Sequence, residues 1–243
     1  MGKRLIVATG NNNKLAEIRE ILSDIDVEIV SMKEAGADIQ IEENGHTFEE
    51  NAIIKARAVA QASGEMAIAD DSGLVIDALG GDPGIYSARF MGRETPYAVK
   101  NRALIKAVDD YCREQEMAAE EGTAASAEQE KMRKLRDEYP GCDDYGNPGP
   151  LRSARFVCAV AVAWPDGRKV SKVGVMEGRI SYKCEGKNGF GFDPIFYLPE
   201  YGKTSAQISP DEKNRISHRG RALSAMRALL REQLNLNREE VSL

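Results

Sequence analysis

Long apolar runs are missing from this 243-residue sequence, and no hydrophobic leader is visible at its start. No apolar stretch reaches the roughly 18 residues that a transmembrane helix needs. The N-terminus begins MGKRLIVATG, and Thr9 and Asn11 interrupt its apolar run before it could form the hydrophobic region of a signal peptide. We therefore expect a cytoplasmic protein.

Cysteine and histidine are scarce, with four cysteines and two histidines in the whole chain. Cys112, Cys142, Cys158 and Cys184 are scattered and form no C-x-x-C pair. Without such a pair, two histidines are too few to complete a zinc site with these cysteines. We expect free thiols in a reducing compartment.

An excess of basic residues is also lacking, because 39 Asp and Glu outnumber 33 Lys and Arg and give a formal net charge of -6. Sequence-independent binding to nucleic acid depends on clustered Lys and Arg. We therefore expect no nucleic-acid partner and no membrane partner. Any anionic ligand must be small and bound at a local site.

The chain does contain alternating strand-like and helix-like segments, which predicts an α/β fold. Thr47 and Glu50 fit a capping box, in which each side chain accepts a hydrogen bond at the helix start. The predicted elements are strands near 5–9 and 27–30, helices beginning at Thr47 and Thr95, and a C-terminal helix over about 218–234.

Two apolar runs at 156–164 and 169–175 are joined by the turn residues Pro165, Asp166 and Gly167. This pattern predicts a β-hairpin, and a hairpin makes the sheet mixed rather than purely parallel. No Pro/Gly/Ser-rich linker divides the chain, so we expect a single domain over residues 1–243.

Residues 113–150 differ from the rest, being rich in Ala, Glu, Gln and Lys and then in turn residues. They predict a solvent-exposed helix that restarts at Ser126, with Gln129 completing a capping box, and then an irregular return. The position of this insertion between two motifs suggests a lid or a dimer arm.

The acidic segment ADDSG, residues 69–73, lies between two strand-like runs. We expect Asp70 and Asp71 at a strand end or turn, with the backbone N–H groups of Ser72 and Gly73 close to an anion. Adjacent strand residues face opposite sides, so only one carboxylate can then serve a given site directly. A surface turn explains this segment equally well on its own.

The loop TGNNNK, residues 9–14, links the first strand to a helix N-terminus, where unpaired N–H groups and the helix dipole favour phosphate. It lacks the spacing of a Walker A loop, and an asparagine-rich turn that caps the helix is the alternative. Glu42 and Glu43 form a second acidic pair. Mg²⁺ takes one or two carboxylates together with substrate phosphates, although acidic pairs are usually solvent-facing.

The segment GKNGFGFDPIF, residues 186–196, interleaves closely spaced glycines with Phe190 and Phe192. Such a segment is typical of a place where backbone and aromatic rings approach a flat ligand such as a base. Lys203, His218 and Arg219 add positive charge and hydrogen-bond donors further along the chain. Helix capping is the alternative role for His218.

Together and in this order, these segments resemble the inosine triphosphate pyrophosphatase family, also called dITP/XTP pyrophosphatases. The shared motifs are TGNNNK, EENGHTFEENAIIKA, ADDSGL, LGGDPGIYSARF, GFGFDPIF and ISHRG. Only residues 113–150 depart, where bacterial members typically have a short connection. The resemblance implies an elongated mixed sheet flanked by helices, two lobes around a deep cleft, and a homodimer. It also implies Mg²⁺-dependent hydrolysis of a nucleoside triphosphate to the monophosphate and pyrophosphate.

By motif position, the resemblance implies that Asp71 is the catalytic base and a metal ligand. Glu42 would assist the metal, Lys55 would lie near the phosphates, and Ser72 would contact the substrate. The triphosphate loop would comprise Thr9, Gly10, Asn11, Asn12, Asn13 and Lys14. The base and sugar pocket would comprise Phe190, Gly191, Phe192, Asp193, Lys203, His218 and Arg219.

The expected substrates are the noncanonical purine nucleotides ITP, dITP and XTP, whose removal cleanses the nucleotide pool. Donors on His218 and Arg219 would pair with the 6-oxo group of hypoxanthine or xanthine, whereas the 6-amino group of adenine would leave them unpaired. Two alternatives stay open. One is a related pyrophosphatase for modified pyrimidine or methylated nucleotides, and the other is a nucleotide-binding module without catalysis.

Overall fold

The computed structural model describes residues 3–120 and 127–239. Within these ranges, the chain forms one seven-stranded sheet and six α-helices, none of which is long and apolar enough to cross a membrane. The strands are β1 (Arg4–Val7), β2 (Glu28–Ser31), β3 (Met66–Ile76), β4 (Ser153–Ala163), β5 (Lys169–Ile180), β6 (Phe196–Leu198) and β7 (Lys203–Thr204). The helices are α1 (Asn12–Ile21), α2 (Phe48–Ser63), α3 (Tyr97–Glu120), α4 (Ala127–Glu138), α5 (Pro210–Ile216) and α6 (His218–Glu239).

The sheet has the strand order β2-β1-β3-β4-β5-β6-β7 and is mixed. Strand β1 runs parallel to β2 and β3, whereas β6 runs antiparallel to β5 and β7. The predicted hairpin between β4 and β5 is present, closed by a hydrogen bond from Trp164 N to Arg168 O of 2.9 Å. Gly167 in its turn has a φ of 91°, which favours glycine. The predicted α/β class and mixed sheet are confirmed.

The chain divides into two compact units. The first unit comprises Met1–Ser72, Val157–Val175 and Asn214–Leu243, and the second comprises Gly73–Phe156 and Met176–Lys213. The boundaries fall inside β3, β4 and β5, so these three strands supply residues to both units.

Helices cover both faces of the sheet in the first unit, which explains the continuous apolar run of β1. Leu5 and Val7 lie in one cluster, and Ile6 and Ala8 lie in the other. The first cluster includes Ile18 of α1, Leu22 directly after that helix, and the α6 residues Ala222, Leu223, Met226 and Leu230. The second includes Ala52, Ala56, Val59 and Ala60 of α2. The first and last helices therefore each pack buried apolar residues against the sheet.

Helix α2 begins where the sequence predicts, because Thr47 Oγ1 accepts a hydrogen bond of 3.1 Å from Glu50 N. In a capping box, the Glu50 carboxylate would accept a hydrogen bond from the backbone N–H of Thr47. It accepts instead from His46 N at 2.6 Å, one residue earlier. The helix ends at Gly64, whose φ of 68° is left-handed. This placement puts Asn51 and Lys55 in the first two turns of α2.

The turn predicted within ADDSG is wrong, because β3 is one continuous strand from Met66 to Ile76. Its register with β1 pairs Leu5 with Met66 and Val7 with Ile68, and β4 is its neighbour on the other side. The pairing with β1 stops at Ile68, before the two aspartates, so β4 is the neighbouring strand beyond that point. Backbone hydrogen bonds to a neighbouring strand outweigh the turn preference of Asp, Ser and Gly. Asp70 and Asp71 consequently face opposite sides of the sheet.

The insertion begins within α3, which continues to Glu120, and α4 follows at Ala127–Glu138. The predicted helix start at Ser126 lies outside the described residues. In the returning segment, the backbone N–H of Gly141 donates to Glu116 Oε1 of α3 at 2.9 Å. This bond joins the return of the insertion to the part of α3 with which the insertion begins. The role of the insertion as a lid or dimer arm stays a prediction.

Arg152 is the main anchor of this region and is fully buried. Its Nε donates to Ile180 O at 2.7 Å, and its Nη2 donates to Ser181 O at 3.2 Å. Its Nη1 donates to Asp109 Oδ1 at 2.6 Å and to Pro140 O at 2.9 Å. One guanidinium therefore joins α3, the insertion and the end of β5.

We predict that Arg152→Gln lowers the free energy of unfolding by roughly 3 kcal/mol, because it leaves Asp109 and three backbone carbonyls without their shared donor. Arg155→Gln is the matched control. Its ion pair with Asp77 has side chains 36% and 43% exposed and should contribute less than about 1 kcal/mol. Urea denaturation followed by circular dichroism measures both variants, and equal losses would contradict the anchoring role.

Candidate active site

The two adjacent carboxylates of β3 lie beyond the carboxyl end of β1, next to the loop that enters α1. β1 ends at Val7, whereas β3 continues past its pairing with β1 through Asp70 and Asp71. In sheets of this kind, ligands bind at the carboxyl ends of parallel strands. The alternation of side chains along β3 turns Asp71 towards α2, and it turns Asp70 towards α1 and α6.

Asp71 is held by two residues of α2. Asn51 Nδ2 donates to Asp71 Oδ2 at 3.1 Å, and Lys55 Nζ lies 3.2 Å from Asp71 Oδ1. The amide of Asn51 is itself oriented by Gly45 N, which donates to Asn51 Oδ1 at 2.9 Å. Lys55 Nζ also lies 3.0 Å from Glu43 Oε2, so its ammonium bridges two carboxylates.

Burial is the largest influence on Asp71 and raises the pKa of its carboxyl above the ordinary value. Glu43 adds to this rise, while Lys55, Lys14 and Asn51 oppose it. Burial lowers the pKa of Lys55, but the neighbouring carboxylates outweigh it, and the net shift is upward. Lys55 therefore stays charged, and the Asp71 carboxylate is a stronger base than an exposed one.

Asp70 lies on the other face, and its carboxylate has no exposed surface. Its Oδ2 lies 3.0 Å from Lys14 Nζ and 3.2 Å from Arg219 Nε. Ser72 Oγ donates to the same oxygen at 3.3 Å and accepts from Arg219 Nη2 at 3.0 Å. Arg219 also forms an ion pair through Nη1 with Glu17 of α1. Strand β3 is thus joined to α1 and α6 by one ionic network.

Burial disfavours the charged form of Asp70, but Lys14, Arg219 and Lys55 outweigh it and hold the pKa of this carboxyl well below its ordinary value. Burial likewise opposes the charge of Arg219, whose pKa is nevertheless raised by Asp70 and other acidic neighbours. The pKa of Asp70 is lowered and that of Asp71 is raised. Such a separation is typical of a pair in which only one member exchanges a proton.

The loop predicted to hold phosphate caps helix α1. Asn11 Oδ1 accepts from Asn13 N at 2.9 Å and from Lys14 N at 3.4 Å, and Thr9 Oγ1 accepts from Asn11 N at 3.2 Å. Gly10 and the three asparagines that follow it are exposed. The capping alternative is therefore observed, and Asn11 already occupies two of the N–H groups that a phosphate would use. Phosphate binding by this loop stays a prediction.

In the second unit, Asp193 organises the predicted aromatic loop from a position that is 2% exposed. Its Oδ2 accepts from Phe190 N at 2.8 Å and from Lys213 Nζ at 2.6 Å, and its Oδ1 accepts from Ser205 Oγ at 2.8 Å. Lys213 Nζ also lies 5.1 Å from the centre of the Phe190 ring. A ring with a fixed cation beside it is a platform on which a base can stack.

The rest of this loop is held by helix α3. Phe192 is buried and contacts Tyr97 edge-on, with ring centroids 5.2 Å apart. Asn101 Nδ2 donates to Gly191 O at 3.2 Å. Gly191 has a φ of 67°, which explains the glycine between the two phenylalanines. These contacts fix the loop in one conformation.

Several predicted residues are brought together and others are not. Lys55 accompanies Asp71 on one face of β3, and Lys14, Ser72 and Arg219 meet on the other face. Glu42 is exposed, whereas the adjacent Glu43 contacts Lys55. His218 is buried at the start of α6, where Ser217 caps the helix by accepting from Gly220 N at 3.0 Å.

The predicted base pocket combines residues of both units. His218 and Arg219 belong to the first unit, and residues 190–193 and Lys203 belong to the second, so this common pocket stays a prediction. Lys203 is exposed, while Lys213 lies against the aromatic loop. Sequence reasoning passed over Lys213, although it lies five residues before His218 in the same motif-bearing segment.

Within residues 3–120 and 127–239, no group of three or more His, Cys, Asp or Glu side chains is arranged to hold a metal ion. Mg²⁺ needs fewer protein ligands, because one or two carboxylates and the substrate phosphates suffice. Asp71 and Glu43 provide such oxygens, and the ammonium of Lys55 between them shows that this position suits a cation. The donor set therefore fits a magnesium ion bound together with a phosphate.

Comparison with known proteins agrees with the motifs and the fold. The sequence model of the Ham1 family matches residues 5–141 and 116–229. The dITP/XTP pyrophosphatase of Bacillus subtilis (strain 168) is 41% identical over 228 residues, covering 94% of this chain and 97% of that protein. The dITP/XTP pyrophosphatase of Desulforamulus reducens is 37% identical over 227 residues, covering 93% and 95% of the two chains.

Among solved structures, a HAM1 protein from Coxiella burnetii is 36% identical, with a TM-score of 0.73, and covers 95% of this chain and 99% of its own. The dITP/XTP pyrophosphatase from Mycobacterium abscessus is 35% identical, with a TM-score of 0.62 and coverages of 92% and 98%. The family resemblance seen in the motifs is confirmed. By sequence, motif order and fold, this chain belongs to the Ham1 family.

Proposed function

We propose that this chain hydrolyses the noncanonical purine nucleoside triphosphates ITP, dITP and XTP to the monophosphate and pyrophosphate. The observation that carries the proposal is the buried Asp71, a carboxylate of raised pKa that Asn51 and Lys55 hold beyond the carboxyl end of the parallel strand β1. The names of the relatives from Bacillus subtilis and Desulforamulus reducens support the substrate class.

In the proposed reaction, Asp71 accepts a proton from the attacking water. The new P–O bond forms as the bond between the α- and β-phosphates breaks, and pyrophosphate leaves with the bonding electrons. Asn51 keeps the carboxylate oriented, and the charged Lys55 stabilises negative charge that develops beside it. The proton transfer needs no covalent nucleophile from the protein.

We propose Mg²⁺ as the cofactor, held by Asp71 and Glu43 with Glu42 as the additional acidic residue that the family resemblance implies. When bound, Mg²⁺ neutralises phosphate charge and favours departure of the pyrophosphate. Lys14 would contact the phosphate chain, and Phe190 would stack on the base. The proposal also includes a homodimer, which the family resemblance implies, a small nucleotide as the partner, and a cytoplasmic location.

Asp71→Asn should reduce kcat for ITP by at least about 100-fold, because the amide cannot accept the proton from water. The substitution is nearly isosteric, so the thermal unfolding midpoint should change little. Asp110→Asn is the control, since Asp110 is a half-exposed residue of α3 that pairs with the exposed side chains of Lys106 and Arg113. Pyrophosphate release measured at saturating substrate gives the comparison, and wild-type turnover by Asp71→Asn would exclude Asp71 as the base.

ITP, dITP and XTP should be cleaved at least about 100-fold more efficiently than ATP or GTP, judged by kcat/KM. The 6-amino group of adenine leaves buried donors without an acceptor, whereas guanine shares the 6-oxo group and is excluded by crowding at its 2-amino group. A panel that also contains modified pyrimidine and methylated nucleotides tests the alternative pyrophosphatase. Equal turnover of ATP, or orthophosphate as the first product, would overturn the assignment. Saturable binding without pyrophosphate release would instead indicate a binding module.

Removal of divalent metal with EDTA should abolish pyrophosphate release, and added Mg²⁺ should restore it. Glu43→Gln should raise the Mg²⁺ concentration needed for half-maximal rate by about tenfold, since one carboxylate oxygen donor is lost. Glu177→Gln, at an exposed position of β5, serves as the control. An unchanged Mg²⁺ requirement in Glu43→Gln would remove Glu43 from the metal site.

A further inference from the structure

Asp70 makes its polar contacts through one oxygen atom. Lys14 Nζ, Arg219 Nε and Ser72 Oγ all lie within 3.3 Å of Oδ2, and the buried Oδ1 has no hydrogen-bond partner among the described residues. An ionised carboxylate without exposure is costly to bury unless cations compensate it. The arrangement therefore places two cations, from α1 and α6, at fixed distances from one point on β3.

The accessibility of these side chains decreases from Lys14 to Asp70. The side chain of Lys14 is 17% exposed, that of Arg219 is 4% exposed, and that of Asp70 is 0% exposed. The carboxylate of Asp70 is thus shielded from solvent, and Lys14 is the most exposed of these three side chains. A ligand that approached this group from solvent would find Lys14 the most accessible of the three.

Fixing a lysine ammonium has a measurable benefit for binding an anion. A free lysine side chain loses rotamer freedom when it contacts a ligand, and this loss reduces affinity. Lys14 is already held 3.0 Å from Asp70, in the loop that the sequence predicts to hold the triphosphate. Arg219 is held in the same way and in turn donates to Ser72.

We propose that Asp70 is a positioning residue of this site, which fixes Lys14 for the phosphate chain of the substrate and fixes Ser72 both directly and through Arg219. The inference rests on the proposed function. Asp70 acts only through its neighbours, whereas Asp71, on the opposite face of β3, accepts the proton.

A double-mutant cycle tests this proposal. Asp70→Asn should raise the KM for ITP by about tenfold with a smaller change in kcat, because it releases the phosphate-binding cation. In a Lys14→Met background, the same Asp70→Asn change should raise KM by less than about threefold, since its main partner is already absent. A purely structural role predicts the same factor in both backgrounds, and that outcome would contradict the proposal.

Asp70→Glu provides a second variant in case Asp70→Asn does not fold. It keeps the negative charge that compensates Lys14 and Arg219 but displaces the carboxylate by one methylene group, so the KM increase and its dependence on Lys14 should persist. Failure of both variants to fold would make Asp70 a structural residue and would overturn the positioning role.

Affinity for inorganic triphosphate, measured by isothermal titration calorimetry, completes the cycle without turnover. The four proteins of the cycle should show the same dependence of Asp70→Asn on Lys14 in their dissociation constants. A wild-type protein that releases no pyrophosphate from any nucleotide would disprove the proposed function alone. Binding changes that are equal in the two Lys14 backgrounds would disprove the positioning role alone.

Discussion

The alternation of side chains along β3 is the constraint on which the site depends. Because β3 continues through ADDSG as a strand, Asp70 and Asp71 point to opposite faces although they are adjacent in the sequence. In a turn, both carboxylates could face one site, and each would raise the pKa of the other. The strand separates them and assigns each its own cation, Lys55 to Asp71 and Lys14 to Asp70.

The same constraint determines the charge of the site before a substrate binds. The two faces of β3 carry four carboxylates, on Glu17, Glu43, Asp70 and Asp71, and three cations, on Lys14, Lys55 and Arg219. Four negative and three positive groups give a net charge of -1 for this set. A triphosphate brings further negative charge, so the described groups alone cannot neutralise it. A divalent cation supplies the missing positive charge, which is a physical reason for a metal requirement.

Patterns in the sequence predict those structural elements that depend on residues close together in the chain. The strand before residues 9–14, the start of α2 at Thr47 and the β4–β5 hairpin follow from local patterns, and the structure confirms them. The turn predicted in ADDSG is wrong because pairing with the neighbouring strand β4, which no local pattern reveals, outweighs the turn preference of its residues. Asn51 could have been found, since it lies one helical turn before Lys55 on α2.

The ionic partners of the site could not have been found in this way. Glu17 and Arg219 are separated by 202 positions, and Asp70 and Arg219 by 149, so no spacing rule connects them. Lys203 and Lys213 were equally plausible from charge alone, and only burial against Asp193 distinguishes them. Local chemistry identified the acidic and basic residues, whereas tertiary contact decided which of them pair.

The network around Asp70 also bears on base selectivity. A donor rejects adenine only if it cannot turn away from the amino group, because a mobile donor finds another acceptor and loses little free energy. Arg219 is held at Nε by Asp70, at Nη1 by Glu17 and at Nη2 by Ser72, and so it cannot rotate without breaking these bonds. If Arg219 reads the 6-oxo group as the sequence predicts, its rigidity makes a mismatch costly. Asp70, which fixes Lys14 for the phosphate chain, would then also increase the selectivity for the base by fixing Arg219.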